Sequence, residues 1–182
     1  SGAILLLMSS SDTQVLTMMR TDIKDFTKKT NQISRAAVLS LLEKQKQIVL
    51  PVLQSRGGKL INTIGEAYLL VFGSPTNAVL GAAAAQDALA RYNSYRPEAE
   101  RIEIRIAINM GEIHLTDGDI FGEPVSITAQ LGNLAAPGEV FFTEAVYLSM
   151  SKAEVACAEV DPLQLKGVAK MTKVYKVSPH GG

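Results

Sequence analysis

Twice in this chain a tight-turn dipeptide divides a pair of apolar segments, and a helical pattern follows each pair. In "KLINTIGEAYLLVFGSP", residues 59–75, the divider is Gly65-Glu66; in "GEIHLTDGDIFG", residues 111–122, it is Asp117-Gly118. Turns this short join antiparallel neighbours, so most of any sheet built from these segments must be antiparallel. The rest of the chain fits around them. Residues 14–21 are apolar and read as a buried strand ending near Asp22. Residues 34–56 read as a long helix with Ser34 as N-cap, an apolar stripe of Ala37, Leu41, Leu42, Ile48, Val52 and Leu53, a kink near Pro51 and a stop at Gly57-Gly58. Residues 75–93 are Ala-rich and helical, with Ser74 as N-cap and Pro75 in the first turn. In "RIEIRIAIN", residues 101–109, isoleucines alternate with other residues, the period of a half-buried strand. A helix over 123–135, a short strand in "APGEVFFT", a short helix over 144–150 and two strands within "LQLKGVAKMTKVYKV" complete the chain. The order is β-α-β-β-α-β-β-α-β-α-β-β. Helices interleaved with hairpins define an α+β fold with a mostly antiparallel sheet.

The bulk properties exclude several classes of function. Of the 182 residues, 18 are Lys or Arg and 18 are Asp or Glu, so no basic surface for nucleic acid is implied. One cysteine, Cys157, permits no intrachain disulfide and fits a reducing, cytoplasmic setting. Two distant histidines, His114 and His180, do not suggest a zinc site. The apolar run "AILLLM", residues 3–8, is far short of the roughly 20 residues that span a bilayer, so no membrane contact is expected of this domain. Residues 1–13 read as a tag, linker or leading segment, 14–178 as one domain and 179–182 as a tail.

Two carboxylates stand out. Asp22 ends the first strand and Glu66 sits at a hairpin tip, so adjacent strands would bring them together. Such a pair is the usual protein contribution to a magnesium site whose shell is completed by substrate phosphates. On spacing alone, Asp22 reads first as a cap for the next turn and Glu66 as a turn residue.

The wider string of motifs resembles the class III nucleotidyl cyclase homology domain, the adenylate and guanylate cyclases, over residues 14–177. "TDIKDFT" resembles that family's Asp-Ile-x-Gly-Phe-Thr, and "GGKLINTIGEAYLLVFGSP" its Gly-Gly…Lys-x-Ile-Gly-Asp hairpin. "IRIAINMGEI" is similar to its Arg-x-Gly-Ile-x-x-Gly strand. "GDIFGEPVSITAQLGNLAAPGEVFFTEAVY" resembles its Asp-x-x-Gly-x-x-Val-Asn-x-Ala-x-Arg helix, and "LQLKGVAKMTKVYKV" its closing Leu-Lys-Gly hairpin. The short second hairpin is similar to a bacterial subgroup.

The resemblance implies a ferredoxin-like α/β sandwich that pairs head to tail, as a homodimer or a heterodimer with another cyclase domain. It implies ATP or GTP as substrate, Mg2+ or Mn2+ as cofactor, and cyclisation by attack of the ribose 3′-hydroxyl on the α-phosphorus with loss of pyrophosphate. Asp22 matches the first metal ligand, the Ile23 carbonyl a contact to the second metal, and Glu66 the second metal-binding Asp. Phe26 and Thr27 fall in the loop whose backbone amides face the phosphates. Asn62 stands at the lysine that reads adenine, and Asp119 at its acidic partner. Ser126 and Gln130 stand where the family places its transition-state Asn and Arg. Lys166 matches a phosphate-contacting lysine, beside the plainer reading of a solvated strand-end residue.

The departures bear on activity. Asp25 replaces a Gly and puts a carboxylate near the expected triphosphate. Glu66 is one methylene longer than Asp, Asn62 brings no charge, and a Gln at 130 cannot replace a guanidinium facing a phosphoryl transition state. The expected function is a catalytically impaired cyclase domain acting as a dimerising or regulatory module in cyclic-nucleotide signalling. The alternatives are an active adenylate or guanylate cyclase, and an oligomerisation domain with no nucleotide site.

Overall fold

One strand organises the molecule. The structure, a computed structural model, describes residues 12–179. Its first strand, β1 (Asp12–Ile23), pairs antiparallel along its whole length with β4 (Ile104–Thr116), from Asp12 opposite Leu115 to Ile23 opposite Ile104. Its other edge carries β3 (Ala67–Phe72), which forms a hairpin with β2 (Lys59–Ile64). Beyond β4 lie β6 (Val140–Thr143), β8 (Val174–Val177) and β7 (Cys157–Glu159), giving the order β2-β3-β1-β4-β6-β8-β7. Among the described strands only the β4–β6 pairing is parallel, and β5 (Asp119–Phe121) folds back on β4. The helices are α1 (Phe26–Thr30), α2 (Arg35–Ser55), α3 (Pro75–Asn93), α4 (Glu123–Leu134) and α5 (Glu144–Ser149). The unit β1-α2-β2-β3-α3-β4, with its strands in the order β2-β3-β1-β4, is the ferredoxin-like arrangement, extended at one edge by the C-terminal strands.

Alternation along β1 and β4 divides the residues between two faces. Met19 and Ile23, with Ile104, Ile106 and Ile108, bury against Leu41, Val49, Leu50 and Leu53 of α2 and Ala78, Val79, Ala82, Ala85 and Leu89 of α3. The small side chains of α3 let that helix lie close to the sheet. On the opposite face Leu16, Met18, Leu69 and Val71 meet Ile113, Leu115 and Ile120, so the β4–β5 hairpin curls over the sheet toward β2. Helix α4 covers another part of this face through Leu131 and Ala107.

Local chemistry sets the helix ends. Ser34 and Ser74 each accept a bond from the backbone N–H three residues on, at Ala37 and Asn77, both at 3.1 Å. Helix α2 continues through Pro51 and closes with Gly57 at φ 87, where Gly57 N–H donates to Gln54 O and Gly58 N–H to Leu53 O, each at 3.0 Å. These two bonds form a Schellman cap. Gly58 is also a packing requirement: a Cβ there would lie 2.7 Å from the Phe72 ring and 2.8 Å from Leu53 O.

Several boundaries differ from the sequence expectation. Strand β1 is longer at both ends and contains Asp22, because β4 offers backbone partners along all twelve of its residues. Strand β4 is one unbroken element from Ile104, where a strand and a separate hairpin arm were expected. Helix α1 was not anticipated; at five residues it is too short to show a period. The closing strand pair is β7 with β8. The first of the two expected strands is displaced upstream to Cys157–Glu159, and within 163–172 there is only a single bridge, Leu163 to Thr172. The apolar run 3–8 and His180 lie outside the described residues. No helix among the described residues is long and apolar enough to cross a membrane.

Gly58→Ala is expected to lower stability by about 1–3 kcal/mol through overpacking against Phe72. Urea denaturation of the variant beside the wild type checks this.

Candidate functional site

Asp22 is the penultimate residue of β1 and sits on the face opposite α2 and α3. It is 5% exposed. Directly across the ladder stands Arg105 of β4. Its guanidinium grips the carboxylate bidentately, Nε to Oδ1 at 2.8 Å and Nη2 to Oδ2 at 3.0 Å. Nη1 donates to the Asn133 carbonyl at 3.2 Å, tying in the end of α4. The side chains are only 7% and 16% exposed, so this pair is far less screened than a surface ion pair.

Arg105 also lines an open cleft of about 630 Å³ bounded by Ile23, Asp25, Phe26, Thr27, Lys28, Asn31 and Glu66. Five expected site residues therefore converge: Asp22 through its partner, and Ile23, Phe26, Thr27 and Glu66 directly. Asp25 holds φ 53 and ψ 35, a left-handed conformation that a glycine adopts without cost and that Asp tolerates better than most residues. Its carboxylate caps no backbone N–H of α1. Glu66 is half-buried at the β2–β3 turn, which is itself held by Gln45 of α2: the fully buried Gln45 donates Nε2 to the Glu66 carbonyl at 3.1 Å. A larger cavity behind the same loop is lined by Lys24, Lys28, Lys29, Glu98 and Glu103. Burial there pushes the Lys29 ammonium below its usual pKa, and its Nζ donates to the Arg101 carbonyl.

The remaining expected residues lie elsewhere. Asn62 is exposed on β2, at a bulge opposite Leu69. Asp119 begins β5, after a turn in which Asp117 and Gly118 both have positive φ, 51 and 76. One of its oxygens accepts from Ile120 N–H at 2.8 Å. Ser126 is exposed in the first turns of α4. Gln130, one turn on, is engaged by its own chain: Oε1 accepts from Lys166 N–H at 2.7 Å and Nε2 donates to Lys166 O at 3.1 Å. Its amide thus pairs with one peptide unit as a neighbouring strand would, and the Lys166 side chain is left exposed.

Helix α4 is seated by Asn109 and Gly111. Asn109 Nδ2 donates to the Pro124 carbonyl at 3.1 Å, and its Oδ1 accepts from Thr143 Oγ1 at 2.8 Å. A Cβ on Gly111 would lie 2.7 Å from Pro124 Cγ.

The oxygen donors at the cleft are the Glu66 and Asp25 carboxylates and the chain at Ile23, with the Asp22 carboxylate held just behind by Arg105. Among the described residues no three His, Cys, Asp or Glu side chains gather as a metal cluster. Two carboxylates, with the remaining positions left to water and phosphate, fit a magnesium-class ion. Arg105 now satisfies Asp22, so an ion would share or displace that guanidinium. Sequence reasoning assigned Arg105 no role. Its signal was a charge set between the alternating isoleucines of residues 102–108, on the face away from them.

Residues 8–178 match the family described as the adenylate and guanylate cyclase catalytic domain. The chain belongs to that family, the class III cyclase domains. It is 34% identical over 163 residues to the serine/threonine-protein kinase pkn2 of Myxococcus xanthus, covering 90% of this chain and 20% of that protein. It is 29% identical to the putative adenylate cyclase 3 of Rhizobium meliloti, covering 76% of this chain and 24% of that one. The chain thus spans about a fifth to a quarter of these relatives. Among solved structures, the adenylate/guanylate cyclase/hydrolase of Silicibacter pomeroyi has a TM-score of 0.84 at 24% identity, over 93% of this chain and 99% of that one. The adenylyl cyclase CyaB of P. aeruginosa follows the same fold at 0.82 and 19%, over 93% and 96%.

Arg105→Met, which strands the buried Asp22 carboxylate, is expected to cost about 3–5 kcal/mol. The double variant Asp22→Asn/Arg105→Met is expected to recover most of that loss. Equal stability of the single variant and wild type in urea melts would refute the pairing's importance.

Proposed function

We propose that this chain is a catalytically impaired class III cyclase domain that still offers a metal–nucleotide half-site and acts through pairing with a second cyclase domain. The observation that carries this reading is the pair of hydrogen bonds between the Gln130 amide and the Lys166 backbone, one donated and one accepted by Gln130. The position that the family resemblance assigns to a transition-state arginine holds a neutral amide, and that amide is already paired within its own chain. It brings no charge to a phosphoryl group, and loss of one such preorganised donor costs about 100- to 1000-fold in rate. Ser126 shortens the neighbouring transition-state position as well.

The two groups of residues support pairing. Ile23, Phe26, Thr27, Glu66 and Arg105 line one cleft, with Asp22 held behind Arg105, while Asn62, Asp119, Ser126, Gln130 and Lys166 are not among its lining residues. By the family resemblance, such base-reading groups meet a metal-holding cleft across a pair of domains, so a nucleotide site would be completed against another domain. In the cleft, Arg105 would pass from Asp22 to the triphosphate as the carboxylate turns to metal, and the Asp25 carboxylate would weaken binding by repulsion. Bound Mg2+ or Mn2+ would supply neutralisation of the phosphate charge. The retained Asp22 and Asp119 favour a second reading, a working adenylate or guanylate cyclase of low rate.

Cyclic-nucleotide formation from ATP or GTP with Mn2+ separates the two. The impaired reading expects little or no product from the wild type and a gain of about 100-fold or more in Ser126→Asn/Gln130→Arg, or on adding a domain that carries Asn and Arg. Robust wild-type product that disappears in Asp22→Ala would establish the second reading. No change in melting temperature with a nucleotide analogue and Mn2+ would leave only an oligomerisation role. Separately, Asp25→Gly is expected to tighten analogue binding without lowering the melting temperature, since glycine adopts the left-handed conformation freely.

A further inference from the structure

A second arginine lies on the site face, and no described residue hydrogen-bonds or pairs with its side chain. Arg20 precedes Asp22 by two residues in β1 and so projects to the same face. Its cross-strand neighbours are Ala107 on β4 and Leu69 on β3, and Leu69 is in turn opposite Asn62 on β2. Its stem runs under α4 at Gly132, where an added Cβ would lie 3.9 Å from Arg20 Cδ. Arg20 Nε is buried and has no hydrogen-bond partner, and the residue enters no ion pair among the described residues. The only nearby anion on its own strand, Asp22, is already held bidentately by Arg105. This patch therefore carries two guanidinium groups and one carboxylate, with one buried donor, Arg20 Nε, unmet. A buried donor without a partner is costly, and natural structures keep one where an external group completes it.

We propose that Arg20 reads the nucleobase and makes this half-site selective for guanine. The assignment rests on the nucleotide reading above. Arg20 and Asn62 stand in one cross-strand row, two strand spacings or about 10 Å apart, within reach of the two edges of a purine. The curled β4–β5 hairpin brings β5, with Asp119, against β2 beside them. Arginine matches the O6 and N7 acceptors of guanine bidentately, whereas adenine offers a donor where guanine has O6. The Asp119 oxygen not engaged by Ile120 can accept from the N1–H and N2–H2 of the same base. Phosphates are a poorer match for Arg20, because the cleft that holds Arg105 opens at the end of β1, past Asp22.

The test is equilibrium binding, with Mn2+, of non-hydrolysable GTP and ATP analogues and of inosine and 7-deazaguanosine triphosphates to the wild-type domain, Arg20→Met and Arg20→Lys. The wild type is expected to favour the guanosine analogue and the inosine compound, which keeps O6 and N7, over adenosine and 7-deazaguanosine. Arg20→Met is expected to lose about 10-fold or more on guanosine and inosine with adenosine unchanged, and Arg20→Lys to retain part of the preference. Wild-type preference for adenosine, or equal loss on both bases, would overturn the assignment while leaving the nucleotide site intact. No binding of any nucleotide by the wild type would overturn both. Loss of self-association in Arg20→Met with the purine ranking unchanged would also overturn it, and would place Arg20 in a contact between copies. The wild-type purine series decides the selectivity even if a variant fails to fold.

Discussion

The long antiparallel pairing of β1 with β4 is the constraint on which the rest depends. Twelve residues of each strand are in register, and the period of two assigns every side chain to one of two faces. One face receives Met19, Ile23, Ile104, Ile106 and Ile108 and is sealed by α2 and α3. The other receives Met18, Arg20, Asp22, Arg105 and Asn109, which mix apolar packing with charge. A slip of one residue would put Asp22 and Arg20 into the helical core and the isoleucines into the site. The Asp22–Arg105 bond opposes such a slip, because either charge would be stranded without the other.

The site shows the same economy of support. Glu66 is placed by a hairpin whose turn carbonyl is held by a buried glutamine from α2. Helix α4 is placed by Asn109 and by the absence of a side chain at Gly111. The loop 163–172 is held by Gln130, the residue that stands at a catalytic position by resemblance. The scaffold of the cyclase family is thus held together by contacts that run through its candidate site. One of the substituted side chains, Gln130, has a structural partner of its own.

Much of this was legible in the residues. The two hairpins, the serine caps and the Gly57-Gly58 stop all rest on local chemistry, and each is found where the pattern placed it. Strand ends were less legible. The length of β1 depends on what β4 offers across the ladder, and β7 at Cys157–Glu159 has too few residues to show a period. Helix α1 failed for the same reason. Asp22 and Glu66 could be singled out as carboxylates, but not the company they keep. Arg105 lies 83 positions from Asp22, and only the sheet makes them neighbours.

By itself the sequence determined the fold class, the family frame and the substitutions at 25, 62, 66, 126 and 130, because these follow from local periodicity, turn chemistry and motif identity. Tertiary structure alone decided that Asp22 is neutralised by Arg105, that Gln130 is paired with the Lys166 backbone, and that Arg20 is left with a buried donor unmet. Hydrogen bonding and charge pairing act across a few ångströms of space, and only the register of the strands and the seating of α4 determine which distant residues fall within that range.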